Sequence, residues 1–376
     1  MNFDWTPEQS GLREALTGLL DDEARARLEA LETTDETGVR ETLTWWQARA
    51  AKAGYLAPAA DPMALLAAQE ELATVSSACF LAVETSARLF GGLIVRHAPS
   101  LLQADILPLL AGGRTIGAVA VSEPGDVKPV SGPRTTAVRD GDEFVVTGRK
   151  DFVTNGPVAD YVAVSAMVEG RPAVCIFEPG TGPAGFRRGD RLTTLGQRGL
   201  AVCGLDLDRA RVPASRVLGP FDDDGPLNDL RTVQDLILSV AALGLMRRVI
   251  DEVNAYCRTY HRGAKPIYAH QEVRFKLADM VTLYQTARLL TCRAAWLTAI
   301  GDREARTVLE CAKVFDAESA EKLASLALQI EAGQGYLAGT IVERAWRDAK
   351  YAALAGTTSE KSRMGIADAV LRRYQV

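Results

Sequence analysis

The chain has 376 residues, 47% of them hydrophobic and 24% charged, long enough for two or three domains around a large core. A net charge of −5 argues against nucleic acid, which needs a basic face to neutralise phosphates. Three histidines and six scattered cysteines with no C-x-x-C pair leave little material for a zinc site or a Ser-His-Asp triad. The N-terminus "MNFDWTPEQSG" carries acids where a signal peptide would carry Lys or Arg before an apolar block. No apolar run is expected to span a bilayer, so a cytoplasmic protein without a membrane or nucleic-acid partner is expected. Cys79, Cys175, Cys203, Cys257, Cys292 and Cys311 sit mostly in apolar surroundings such as "AVCIF" and read as small buried hydrophobes.

The first hundred residues read as helices. "TPEQ" offers Thr6 as N-cap, Pro7 at the first helical position and Gln9 as capping-box partner. Ala- and Leu-rich helix then continues through "MALLAAQEELATV" and "SSACFLAVETSARLFGGLIVRHA". From Thr115 to about Pro220 the texture changes to short β-branched runs: "IGAVAVS", "EFVVTG", "YVAVSAMV", "AVCIFEP" and "LDLDRARVP". "RDGDEFVVTG" signals a hairpin turning at Asp140-Gly141. After "FDDDGP" the helical period returns. Leu236, Val240, Leu243 and Ile250 share one face, and Leu236 to Met246 is apolar nearly all round, which predicts a central helix. Two further long helices follow. The fold class is therefore α+β, with an N-terminal helical domain (1–113), a β-barrel domain (114–222) and a C-terminal four-helix bundle (223–376).

"GQGYLA" nominally fits a dinucleotide fingerprint, but it follows a helix where that motif must follow a strand. "AVSEPG", "KDFVTNG" and "LGQRG" are polar turns at the ends of β runs. Together they gather hydroxyls (Ser122, Thr154), an aromatic (Phe152) and backbone amides, groups suited to a flat heteroaromatic ligand.

These segments carry a resemblance. "SEPG" is similar to the T-E-P segment of the acyl-CoA dehydrogenase superfamily, and "FVTNG" to its W-x-T-N-G. "KPIYAHQEVRFKLADM" resembles P-I-x-x-x-Q…L-A-D-M, and "QIEAGQGYLAGTIVERAWRDAK" resembles Q-x-x-G-G-x-G-Y…R-D-A-K, in order and at matching spacing. The resemblance implies FAD bound between subunits of a homodimer, usually within a tetramer. Ser122 and Thr154 would hydrogen-bond the isoalloxazine, and Phe152 would pack on the ring in place of Trp. Gln329 and Gly333 would approach the partner's FAD, with Thr358 near the adenine end and Gln271 among the cofactor-contacting positions.

The family reaction needs a carboxylate to remove the substrate α-proton while flavin N5 accepts hydride from Cβ. Aligned from "RDAK", the usual Glu of a Y-E-G-T turn falls on Gly356. The alternative Glu, on the first helix of the bundle, falls on Gln234, a neutral amide. Asp235 is a weak candidate base, about 100° round that helix, so these three define the expected substrate side. The family's A-G-S-D becomes Asp126-Val127-Lys128-Pro129. Its R-x-x-F-G becomes Tyr260, Gly263 and Ala264, with Arg258 and Arg262 as substitutes for the phosphate contact. Three functions follow from this pattern. One is oxidation of an acyl thioester, on CoA or a carrier protein, with an atypical or absent base. Another is a flavin-dependent oxygenase on the same fold. The third is a non-catalytic subunit that completes a paralogue's FAD site in a hetero-oligomer.

Overall fold

The computed structural model describes residues 5–57, 61–125 and 133–373. Seven helices come first: α1 (Pro7–Thr17), α2 (Asp22–Glu29), α3 (Glu36–Lys52), α4 (Pro62–Val75), α5 (Ser77–Glu84), α6 (Gly91–His97) and α7 (Ser100–Ala111). Their starts follow from side-chain capping. Thr6 and Gln9 form the expected capping box on α1. Asp21, Asp35, Asp61 and Ser76 each accept from a backbone N–H in the first turn that follows. Between α5 and α6 the chain widens into a π-helical turn, Thr85–Phe90. Contrary to the sequence expectation, Ser77–His97 is long and apolar enough to cross a bilayer by length and composition. Most of it is nonetheless buried inside the protein.

Eight strands make one mixed sheet: β1 (Gly117–Ala120), β2 (Thr136–Asp140), β3 (Glu143–Thr154), β4 (Tyr161–Val168), β5 (Arg171–Phe177), β6 (Phe186–Arg188), β7 (Val202–Pro213) and β8 (Val217–Leu218). The pairing path runs β6-β7-β3-β2-β4-β5-β8, with β1 parallel to β4. Among the described residues β6 and β8 do not pair, so the sheet is open where a barrel was expected. The β2–β3 hairpin pairs Asp140 with Glu143. Its loop is thus Gly141-Asp142, one residue beyond the expected position, with Gly141 supplying the positive φ of 64°. At Gly117 the first strand crosses Phe90 so closely that a Cβ would lie 2.4 Å from the ring, which requires glycine there.

The last third is helical: α8 (Gly225–Thr259), a short hairpin of β9 (His261–Arg262) and β10 (Lys265–Pro266), then α9 (Gln271–Ala299), α10 (Ala305–Glu331), α11 (Ile341–Leu354) and α12 (Ser359–Arg373). Helix α12 is a fifth helix beyond the four expected and packs on α10. Residues 237–246 of α8 are all buried, which gives the predicted central helix. Its first half joins the core shared by the N-terminal helices and the sheet. Its second half joins the core of the bundle, so α8 holds the two cores together. Four of the six cysteines are buried and all are free. Burial pushes the Cys175 thiol up to about 12.

Candidate active site

The flavin-side residues sit at one end of β3. The β3–β7 register shifts between Lys150 and Val153, and such a bulge re-aims the extra residue. Here that residue is Phe152, held at a positive φ of 55° with 70% of its surface exposed. A large aromatic residue in the left-handed region is strained and open to solvent, a pairing found where a ligand is received. Ser122 is also exposed, and its carbonyl accepts from Asp151 N–H at 2.9 Å. Thr154 is half-buried. Asp126-Val127-Lys128-Pro129 lies outside the described residues.

Beneath this platform lies a buried ion pair that sequence reasoning missed. Lys150 Nζ donates to Glu123 Oε1 at 2.7 Å, and Thr135 donates to the same oxygen from its hydroxyl at 2.6 Å and its amide at 2.9 Å. Burial pushes the Glu123 carboxyl up, but these donors outweigh it and hold the group at about 2. The pair ties the "SEPG" turn to the strand that carries Phe152. A lysine inside an alternating strand pattern was the available signal.

The residues expected on the substrate side meet where α8 packs against the turn after α11. Gly356 is exposed with φ +64°. A Cβ there would lie 2.7 Å from Asp235 Oδ1, 2.8 Å from Leu238 Cδ1 and 3.6 Å from Gln234 Cγ. Gln234 and Gly356 are therefore neighbours in space. Asp235 is neither solvated nor open to a substrate: it is 1% exposed, and its Oδ1 accepts from Thr357 N–H at 2.8 Å. The helical step turns it about 100° away from the face that carries Gln234 and Leu238. It points instead toward Arg306 on α10, 3.6 Å away. Lys313, also on α10 and 1% exposed, donates to the carbonyls of Ala352 (2.7 Å), Ala355 (3.0 Å) and Thr357 (2.9 Å). Burial lowers its pKa. One turn on, burial pushes the Asp316 carboxyl up to about 8 although Thr291 donates to it at 2.6 Å. The turn that would carry a base is thus clamped from below by Asp235 and Lys313.

The remaining sequence-derived positions lie elsewhere. Arg258, Arg262, Gln271, Gln329 and Gly333 are all exposed and belong to the opposite end of the bundle. There α8 and α10 end and α9 begins. Gln234 and Arg258 stand about 36 Å apart along α8 by the 1.5 Å rise per residue, so one chain does not bring these groups together with Gln234 and Gly356. Thr358 is half-buried, and its hydroxyl accepts from Lys361 N–H at 3.4 Å at the start of α12. "GQGYLA" lies in the turns between α10 and α11, after a helix.

An exposed aromatic ring with hydroxyls beside it suits a flat heteroaromatic ligand. Comparison with known proteins places the chain in a family. The middle-domain profile of the acyl-CoA dehydrogenases matches residues 118–210, and the C-terminal-domain profile matches residues 234–371. Cyclohexane-1-carbonyl-CoA dehydrogenase of Geobacter metallireducens is 34% identical over 271 residues, 71% of each chain. Butyryl-CoA dehydrogenase from Megasphaera elsdenii superposes with a TM-score of 0.89 at 24% identity, covering 99% of this chain and 100% of that one. The prolyl acyl carrier protein oxidase AnaB superposes at 0.85 with 22% identity, covering 98% and 100%; these two structures speak to the fold. The chain belongs to the acyl-CoA dehydrogenase family and is an FAD-dependent oxidoreductase.

Proposed function

We propose that this oxidoreductase dehydrogenates an acyl thioester, carried on CoA or on a carrier protein, without a glutamate at either of the two positions the family uses. The observation that carries the reading is the Phe152 platform: an exposed ring at positive φ on a bulge, with Ser122 and Thr154 beside it. That cradle fits an isoalloxazine, which supplies a two-electron acceptor when bound. Phe152 would pack on the ring, and Ser122 and Thr154 would hydrogen-bond it. Arg258, Arg262, Gln271, Gln329 and Gly333 serve the cofactor of a second copy, because they lie at the end of the bundle far from Gln234 and Gly356; a homodimer or a multiple of it follows. Thr358 contributes near the adenine end while also capping α12. Gln234 flanks the substrate opposite Phe152 and can orient a thioester carbonyl without moving a proton. Asp235 is a structural clamp under Gly356, not a base. With no side-chain base in place and Gly356 exposed to solvent, the α-proton would pass to water as hydride leaves to the flavin, so thioesters whose α-proton is already acidified are the favoured substrates.

The visible spectrum of the protein purified alone, followed by anaerobic mixing with a panel of acyl thioesters, tests this. A flavin spectrum that bleaches with at least one thioester is expected. Bound flavin that no thioester bleaches, but that consumes oxygen once reduced, would point instead to the oxygenase. Asp235 filling the root of residue 356 favours that second reading, since flavin-dependent oxygenation needs no carboxylate there.

A further inference from the structure

Away from the candidate site, a cavity of about 300 Å³ lies between α4, α6, α7, α8 and α9. That is at the lower end of the roughly 300–1,000 Å³ typical of small-molecule pockets. Leu65, Leu66, Leu107, Val233 and Leu236 give it apolar walls. Leu236 stands about 200° and Val233 about 100° round α8 from Gln234 by the helical step. The cavity thus lies on a different side of that helix from Gly356. Gly92 helps to make the space: a Cβ there would meet only the Arg96 guanidinium, whose Nη2 lies 3.3 Å away.

Two polar groups in the lining are unspent. Gln69 is 5% exposed, and its amide N–H donates to Glu84 Oε2 at 2.5 Å. Among the described residues nothing donates to its carbonyl oxygen. Arg96, folded back over Gly92, has no ion-pair or hydrogen-bond partner among the described residues. Arg88, the other cation in the lining, is occupied by the Ala57 carbonyl at 2.8 Å and by Glu84 Oε2 at 3.8 Å. Gln69 and Arg88 therefore share Glu84 at one end of the cavity. Arg96 stands about 12 Å further along the helix by the rise per residue, exposed at the other end. A buried acceptor and an open cation mark the two ends of an apolar slot.

We propose that this slot binds a medium-length aliphatic carboxylate. The carboxylate meets Arg96, whose planar fork matches it with two N–H donors. The hydrocarbon lies along the leucine and valine walls, and a hydroxyl at the far end donates to Gln69 Oε1. One unpaired guanidinium with no second unpaired cation in the lining suits a singly charged carboxylate rather than a phosphate. The site is separate from the flavin platform and does not depend on the thioester reading.

Calorimetric titration of the protein as purified with decanoate and with ω-hydroxydecanoate tests this, with wild type, Arg96→Gln and Gly92→Leu compared. Gly92 is helical and only a flexible side chain faces it, so the leucine fills the slot in a folded chain; thermal melts check this. Decanoate should bind wild type at one site per chain. Arg96→Gln should weaken binding about tenfold, the worth of a hydrogen bond to a charged group, and Gly92→Leu should weaken it at least as much. The ω-hydroxyl should leave affinity unchanged or better, because Gln69 receives it. No binding to wild type overturns the proposal. So does binding that either folded variant leaves unchanged, because the chain is then held elsewhere, the thioester site included. A tenfold loss on adding the hydroxyl overturns the assignment of Gln69 as the inner contact.

Discussion

Gly356→Glu, which puts a carboxylate where the sequence resemblance expects the family's base, should destabilise the protein. At φ +64° any side chain enters the left-handed region, at about 1–2 kcal/mol. The new Cβ then meets Asp235 Oδ1 at 2.7 Å and Leu238 Cδ1 at 2.8 Å. Overpacking of that kind costs about 1–3 kcal/mol. The sum is about 2–5 kcal/mol before any repulsion between the two carboxylates. With an unfolding entropy of about 2.1 cal/mol/K per residue over 376 residues, the melting temperature should drop by about 3–6 °C. Thermal and urea unfolding of Gly356→Glu, Asp235→Ala and the double variant form a cycle. The double should be more stable than the two single effects predict, because removing Asp235 vacates the space the new Cβ needs. A wild-type melting temperature for Gly356→Glu, or effects that add within about 0.5 kcal/mol, would refute the contact on which the reasoning depends.

Three further outcomes follow from strain and charge. Ala332 holds φ 51° and ψ −126° at the end of α10, a conformation open to glycine and costly for alanine. Ala332→Gly should therefore raise stability by about 1 kcal/mol in urea unfolding, and a loss of stability would show that its methyl is needed. Glu123 sits at about 2 when folded, below its ordinary value of 4.5. Its contribution is present above pH 4.5 and lost as pH falls toward 2. Asp316, raised from 3.8 to about 8, works in the opposite sense: stability falls as pH rises from about 4 to 8, because the unfolded chain gives up the proton first. Asp316→Asn should flatten that slope in melts taken across this range, and an unchanged slope would place the titration elsewhere.

The helical, β and helical order was legible because burial period changes with secondary structure: period two in "EFVVTG", and an unbroken apolar run in α8. Capping at Thr6 was legible because it needs only four neighbouring residues. The pairing of Gln234 with Gly356 was legible as an alignment and became a place in space only when α8 met α11. The orientation of Asp235 was not legible. It depends on which neighbour faces the side of α8 one step round from Gln234, and that neighbour, α10, comes some seventy residues later. Lys150 with Glu123 escaped for the same reason: each partner looks ordinary in its own segment. Open closure of the sheet was likewise unreadable, since strand order is set by long-range pairing.

The contact between Asp235 and residue 356 also makes the two positions interdependent. An acid at 235 fits because residue 356 has no side chain, and a side chain at 356 is opposed by that acid. A single substitution that places a glutamate at 356 passes through a less stable chain, whereas a change at both positions relieves the clash. The glycine is held by packing alone, whatever reaction the site performs.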